Sequence, residues 1–156
     1  MAPPFDIKIP SFHFSVVFLD LGPNVEIGFQ SVSGLSATVN TEKVTEGGEN
    51  RFTHELPTGV TFSKLTLKRS LKVSSAVTKW CEDAIENFEF KPSNLLITLH
   101  NEKHLPLYSW NIIDAFPVSW KLSDFNAEAS ELAIETMELQ YHYFKSISAN
   151  DLIPSF

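Results

Sequence analysis

Along most of the chain apolar residues recur at every second position, the spacing of a strand with one buried face; only one stretch recurs cleanly at helical spacing. Phe12, Phe14, Val16 and Phe18 share a face in residues 12–19, and Leu21, Gly22, Pro23 and Asn24 end that predicted strand. Residues 28–33 and 36–44 read as two further extended segments, separated at Gly34, where a positive φ allows a turn or bulge. From residue 61 to 73, Leu65, Leu67, Leu71 and Val73 have one parity and Lys64, Thr66, Lys68 and Lys72 the other, which predicts one buried and one wet face. Residues 95–99 and 107–116 are apolar and rich in β-formers, with His100 to His104 as the turn of a hairpin. Pro117 then interrupts the pattern before Val118 to Lys121.

The helical stretch runs from about Ser75 to Phe88. Ser74 or Ser75 supplies the cap, and Val77, Trp80, Cys81, Ala84, Ile85 and Phe88 form a continuous apolar stripe, opposite Lys79, Glu82, Asp83 and Glu86. The stretch from Ser130 to Phe144 satisfies two incompatible patterns. Ala129, Leu132, Ala133, Met137, Tyr141 and Phe144 fit an amphipathic helix, so periodicity and propensity put a helix first. As a strand it would turn Leu132 and Ile134 one way and Met137, Leu139, Tyr141 and Tyr143 the other, which demands a bulge near Glu135. Between residues 42 and 50 all periodicity stops around Gly47 and Gly48, predicting a projecting loop or the tip of a long hairpin.

At 156 residues, 43% hydrophobic and 20% charged, the chain is expected to form one domain over residues 1–156 with a packed core. The net charge of −7 has the wrong sign for gripping nucleic-acid phosphates, so no sequence-specific nucleic-acid partner is expected. Cys81, the only cysteine, leaves no intramolecular disulfide and no cysteine cluster for zinc. Residues 1–10 lack the basic and apolar regions of a signal peptide, and no run reaches the roughly 18–20 apolar residues of a membrane span. Synthesis in the cytoplasm without a signal peptide or membrane-insertion segment is the expectation.

Few residues suggest chemistry. His100 and His104 flank a polar turn without a third ligand, so a solvated turn outweighs a metal site. Cys81 sits in the apolar stripe, where a buried, inert thiol outweighs a nucleophile. Glu82, Asp83, Glu86 and Glu89 have the spacing of any solvated helix face, and Gly47-Gly48 lacks the Lys-Ser/Thr of a phosphate loop. Trp80, Trp110 and Trp120 read as core or subunit-contact residues. No catalytic, cofactor or metal site is predicted, and the chain reads as a non-enzyme. The charges that stand out are a basic run, Lys64, Lys68, Arg69 and Lys72, and an acidic one, Asp124, Glu128, Glu131, Glu135 and Glu138. Meeting across subunits, such runs would fix register more than add affinity. From a different class, a β-barrel binding a small apolar ligand also suits the aromatic, strand-rich composition.

An ordered set of blocks carries a resemblance: residues 28–35 (GFQSVSGL), 46–50 (EGGEN), 65–69 (LTLKR), Trp80, 110–117 (WNIIDAFP), Trp120, 131–139 (ELAIETMEL) and His142. Together, from about Phe14 to Phe144, the chain resembles the tail tube proteins of contractile-tailed phages and the inner-tube proteins of phage-tail-like contractile injection systems. Ser70 stands where that family often has Gly. The resemblance implies a mainly β fold, a β-barrel-like sandwich with one flanking helix and a core over about residues 12–144. It further implies a strand from Glu131 to Tyr141, and copies that close into hexameric rings stacked as a tube. It implies as partners other copies of the chain, a sheath protein, baseplate or hub and terminator proteins, and a tape-measure protein or cargo in the lumen. The particle would be a phage tail or a device released outside the cell. Glu46, Gly47, Gly48, Glu49, Asn50 and Arg51 become an expected inter-ring contact loop, and Lys64, Lys68, Arg69, Glu131, Glu135 and Glu138 expected subunit-contact charges. A baseplate-proximal tube initiator and a type VI secretion ring protein are the nearest alternatives.

Overall fold

The computed structural model describes residues 13–22, 26–45, 47–48, 51–72, 75–124, 128 and 133–148. The expected N-terminal extension, residues 149–156 of the C-terminal one, and Glu46, Glu49, Asn50 and Glu131 lie outside the described residues; residues 145–148 of the C-terminal extension belong to a strand. The strands are β1 (His13–Phe18), β2 (Glu26–Ile27), β3 (Ser31–Ser33), β4 (Ala37–Val44), β5 (His54–Phe62) and β6 (Leu65–Ser70) before the helix α1 (Ala76–Glu86). After it come β7 (Ser93–His100), β8 (Pro106–Leu122), β9 (Ile134–Gln140) and β10 (Tyr143–Ser148).

The main sheet runs β2-β1-β7-β8-β9-β6-β3, with β10 also on β8, while β4 and β5 form a separate two-stranded sheet. Among the described residues the end strands β2 and β3 do not pair, so the sheet folds into a sandwich without closing as a barrel. β8 makes this possible. Its first half pairs with β7 on one edge and β10 on the other, and from Phe116 to Leu122 it pairs with β9. At the change of partner Asp114 has φ 54°, and the register shifts between Pro117 and Ser119. Pro117 is therefore a buried member of a bulge inside one 17-residue strand, where the sequence had suggested an interruption.

The folded sheet places Val16, Phe18, Leu95, Ile97 and Ile112 in one core with Leu65, Leu67, Met137 and Leu139. α1 closes it with Val77, Trp80 and Cys81. Burying each such aliphatic side chain contributes roughly 1.5–3 kcal/mol. Ser75 caps α1, its Oγ accepting the Val77 N–H at 3.3 Å. Trp80 meets Phe18 edge-on with centroids 5.5 Å apart, and its Nε1 donates to the Lys91 carbonyl at 2.6 Å. Two members of the expected stripe are not in the core: Ile85 is 52% and Phe88 82% exposed.

Two sequence expectations are corrected. The run from 61 to 73 is two strands, because the chain turns at Ser63 and Lys64. Ser63 Oγ donates to the Gly34 carbonyl at 2.8 Å and bonds Ser36 Oγ. Gly34 has φ 87°, and a Cβ there would collide with the Lys64 carbonyl, so only glycine fits the turn. β6 ends at Ser70 and leaves Leu71 exposed. In the second case, the described part of the stretch favoured as a helix by periodicity, residues 133–144, holds β9 and the start of β10, as the family resemblance implied. β9 is paired on both edges, to β6 and β8, and sheet context overrides helix propensity. The bulge expected near Glu135 is absent: Glu135, Met137 and Leu139 point inward in unbroken alternation.

Candidate assembly surfaces and the charge network beneath them

The β4–β5 hairpin leaves the body at Phe62, whose ring packs on Phe144 (5.2 Å) and Tyr141 (6.0 Å). Beyond that root every residue of both strands is exposed. On one face Val39 opposes Val60 and Thr41 opposes Pro57; on the other Asn40 opposes Gly59 and Glu42 opposes Leu56. Asn40 Nδ2 donates to Thr61 Oγ1 at 2.7 Å, and Thr58 Oγ1 to the Asn40 carbonyl at 3.2 Å, where the register shifts. At the tip Gly47 and Gly48 form a turn, Gly48 with φ 99°, and Arg51 is exposed. Of the two expectations for this segment, a projecting loop or the tip of a long hairpin, the β4–β5 pairing supports the hairpin tip. Two-stranded hairpins are marginal alone in water.

The charges expected on subunit contacts divide. Lys64 and Lys68 are exposed, and Glu138 lies half-buried on the same outer face as Lys68, since Lys68 pairs with Thr136 and Thr66 with Glu138. Arg69 and Glu135 do not face a neighbour. Both have inward parity, are 1% and 0% exposed, and pair with each other, Arg69 Nε donating to Glu135 Oε2 at 2.7 Å. Arg69 Nη2 also donates to Ser75 Oγ at 3.0 Å and Thr78 Oγ1 at 2.9 Å, and its guanidinium lies 5.5 Å over the Phe29 ring. Glu135 Oε1 accepts from Trp120 Nε1 at 2.7 Å and Thr78 Oγ1 at 3.2 Å. The sequence did carry a signal: Arg69 has the parity of Leu65 and Leu67, and Glu135 that of Met137 and Leu139. This network joins β6, β8, β9 and the start of α1.

Cys81 is buried beside it, and burial, then the Glu135 charge, push its thiol up to about 12, against the partial opposition of Arg69. Such a thiol is a poor nucleophile. Burial also raises the Tyr141 phenol. His100 bonds Ser15 Oγ at 3.0 Å, while His104, at φ 61° in the β7–β8 turn, stacks on His13 at 5.5 Å. Among the described residues no group of three or more His, Cys, Asp or Glu is placed to hold a metal ion. Nor is any described helix long and apolar enough to cross a membrane.

Residues 10–145 match the model of the T4-like virus tail tube protein gp19 family. The chain belongs to that family. A chain of the sixfold-symmetrised baseplate of the anti-feeding prophage is 31% identical, with TM-score 0.78 over 88% of this chain and 93% of that one. A chain of the cap that terminates the anti-feeding prophage tube is 26% identical, with TM-score 0.76 over 95% and 99%. The sheath–tube complex of the extracellular contractile injection system PVC, in its extended state, contains a chain with TM-score 0.76 over 92% and 93% at 23% identity, which shows a shared fold. A sequence comparison with curated proteins finds no match. Family and fold are those of a structural tail tube subunit.

Proposed function

We propose that this chain, as one domain over residues 1–156, is the inner-tube subunit of a contractile injection particle. Six copies close into a ring, rings stack into a conduit, and contraction of a surrounding sheath drives the tube through a target envelope. The work comes from the sheath; the subunit supplies stiff contacts and a wall that does not hold cargo. A net charge of −7 suits that wall, discouraging adhesion of polyanions. The observation that carries the reading is the β4–β5 ribbon, exposed on both faces in the subunit and needing a neighbour to cover it. The sixfold baseplate, the sheath–tube complex and the tube cap among the similar structures support rings and, as partners, a sheath, a baseplate or hub, and a terminator. The lumen holds a tape-measure protein or cargo, and the finished particle is released outside the cell. Gly47, Gly48 and Arg51, with Glu46, Glu49 and Asn50, make the contact between rings, and Lys64, Lys68 and Glu138, with Glu131, contact neighbouring subunits.

A second reading, the initiator at the baseplate end of the tube, is favoured by the higher identity to the baseplate chain than to the cap chain. Electron microscopy of the purified protein separates them. A main tube subunit extends into tubes of many rings, whereas an initiator stops at one or two layers unless another protein is added. Monomers at all concentrations, with or without baseplate components, would overturn both.

A further inference from the structure

We propose that the groove beside the C-terminal end of α1 receives the β4–β5 hairpin of a second copy of this chain, with Val39 and Val60 as the inserted side chains. This rests on the tube-subunit reading and adds to it which surfaces meet. Ile85, Phe88, Phe90, Phe116 and Val118 line the groove, about 300 Å³ in volume. Phe90 meets Phe88 edge-on at 4.9 Å and Phe116 at 5.8 Å. Phe88 has φ 52° and leaves its ring 82% exposed. Just past a helix end the left-handed conformation is usual for glycine and costly for a bulky residue. Within the subunit the turn lets the Glu89 N–H reach the Asp83 carbonyl at 3.0 Å and sets the ring edge-on to Phe90, yet most of the ring stays in solvent. Strain on an exposed apolar side chain points to a surface that another molecule covers.

The hairpin fits that requirement in size, polarity and charge. A stable interface takes roughly 20–30 residues a side, and the exposed strands of eight and nine residues supply part of it from one face, the rest coming from surfaces flanking the hairpin and groove. Val39 and Val60 form a cross-strand apolar pair, 59% and 52% exposed, on the face that also carries the cross-strand pair Lys43 and Glu55. Exposed Glu86 and Glu89 bracket Phe88, and Lys91 follows Phe90. Seated by its valines, the hairpin presents one charge of each sign, Lys43 and Glu55, beside a rim that also carries both signs, Glu86, Glu89 and Lys91. Hairpin and groove are different patches of one chain, so the contact is heterologous and either closes a ring or propagates from copy to copy.

Two experiments test it. Phe88→Gly relieves the strained conformation and removes the ring, so the dissociated subunit gains Tm while its association weakens by about tenfold or more. A Phe88→Gly chain that assembles as well as the parent would overturn the proposal. The second mixes a Val60→Cys chain with a Val118→Cys chain under mild oxidation after assembly. Cys81 is left in place, since it is buried with its thiol pushed up to about 12. A disulfide-linked pair is expected, and none with a Leu105→Cys chain, whose cysteine sits in the exposed turn between β7 and β8. Tubes seen by electron microscopy without the Val60→Cys/Val118→Cys link overturn the docking but leave the tube reading standing. Failure of the parent chain to assemble under any condition overturns both.

Discussion

Arg69 Nε donates to Glu135 Oε2 across 2.7 Å in a place where neither side chain meets solvent. The pair closes a circuit from β6 to β9, to Trp120 on β8 and, through Ser75 and Thr78, to the capped start of α1. Removing two charges from water is expensive, and the surrounding donors and acceptors are what offset it. One atom, Arg69 Nη1, has no partner among the described residues, so part of the desolvation cost is not offset by them.

Removing one partner leaves a buried charge alone. Glu135→Ala is expected to destabilise the subunit by about 3–5 kcal/mol, read as a lower midpoint in urea. The paired change Arg69→Met with Glu135→Leu should recover most of that loss. A double variant as unstable as Glu135→Ala would show that the circuit does more than neutralise two buried charges.

Trp120→Phe keeps an aromatic side chain but loses the five-membered half of the indole, and with it the N–H that bonds Glu135 Oε1 at 2.7 Å. A lost hydrogen bond to a buried charged acceptor costs about 1.5–3 kcal/mol, so thermal unfolding of the variant should start several degrees lower with the tertiary structure retained.

Alkaline pH should weaken the subunit. The folded thiol of Cys81 titrates at about 12 against an ordinary value of 9.0, and Tyr141 is shifted in the same direction by burial. A folded value above the unfolded one means the stabilisation is complete below pH 9.0 and is lost as pH rises toward 12. Urea midpoints measured from pH 8 to 11 should fall, and Cys81→Ala should flatten the fall at a cost of about 1 kcal/mol near neutral pH. In the parent protein, which keeps Cys81, a thiol reagent at pH 8 should label the unfolded chain and leave the native one unmodified.

Replacing residues 44–50 by a short Gly-Ser turn removes the ribbon tip and leaves the Phe62 root on Tyr141 and Phe144. The expected product is a folded subunit that closes rings and no longer stacks them, seen as separate rings by negative-stain microscopy. Tubes of normal length would place the ring-to-ring contact elsewhere.

Local pattern was enough for β1, the β7–β8 hairpin, the Gly34 turn and the capped α1, because each of these is decided by neighbours within a few residues: alternation, a cap, or a backbone angle that only glycine tolerates. It was also enough to see that residues around Gly47 and Gly48 could not be core. What local pattern could not decide were the features set by distant strands. Residues 134–140 are good helix formers and become β9 only because β6 and β8 offer two complementary edges. Pro117 reads as a stop and is carried inside β8 because a bulge absorbs it. Arg69 and Glu135 read as surface charges and are buried because each is the other's counterion, 66 residues away in the chain. Ile85 and Phe88 read as core and are exposed for two reasons: Ile85 because of where α1 lies on the sheet, which spacing along the helix does not specify, and Phe88 because α1 ends at Glu86 and the backbone has left the helix at Phe88, with φ 52°.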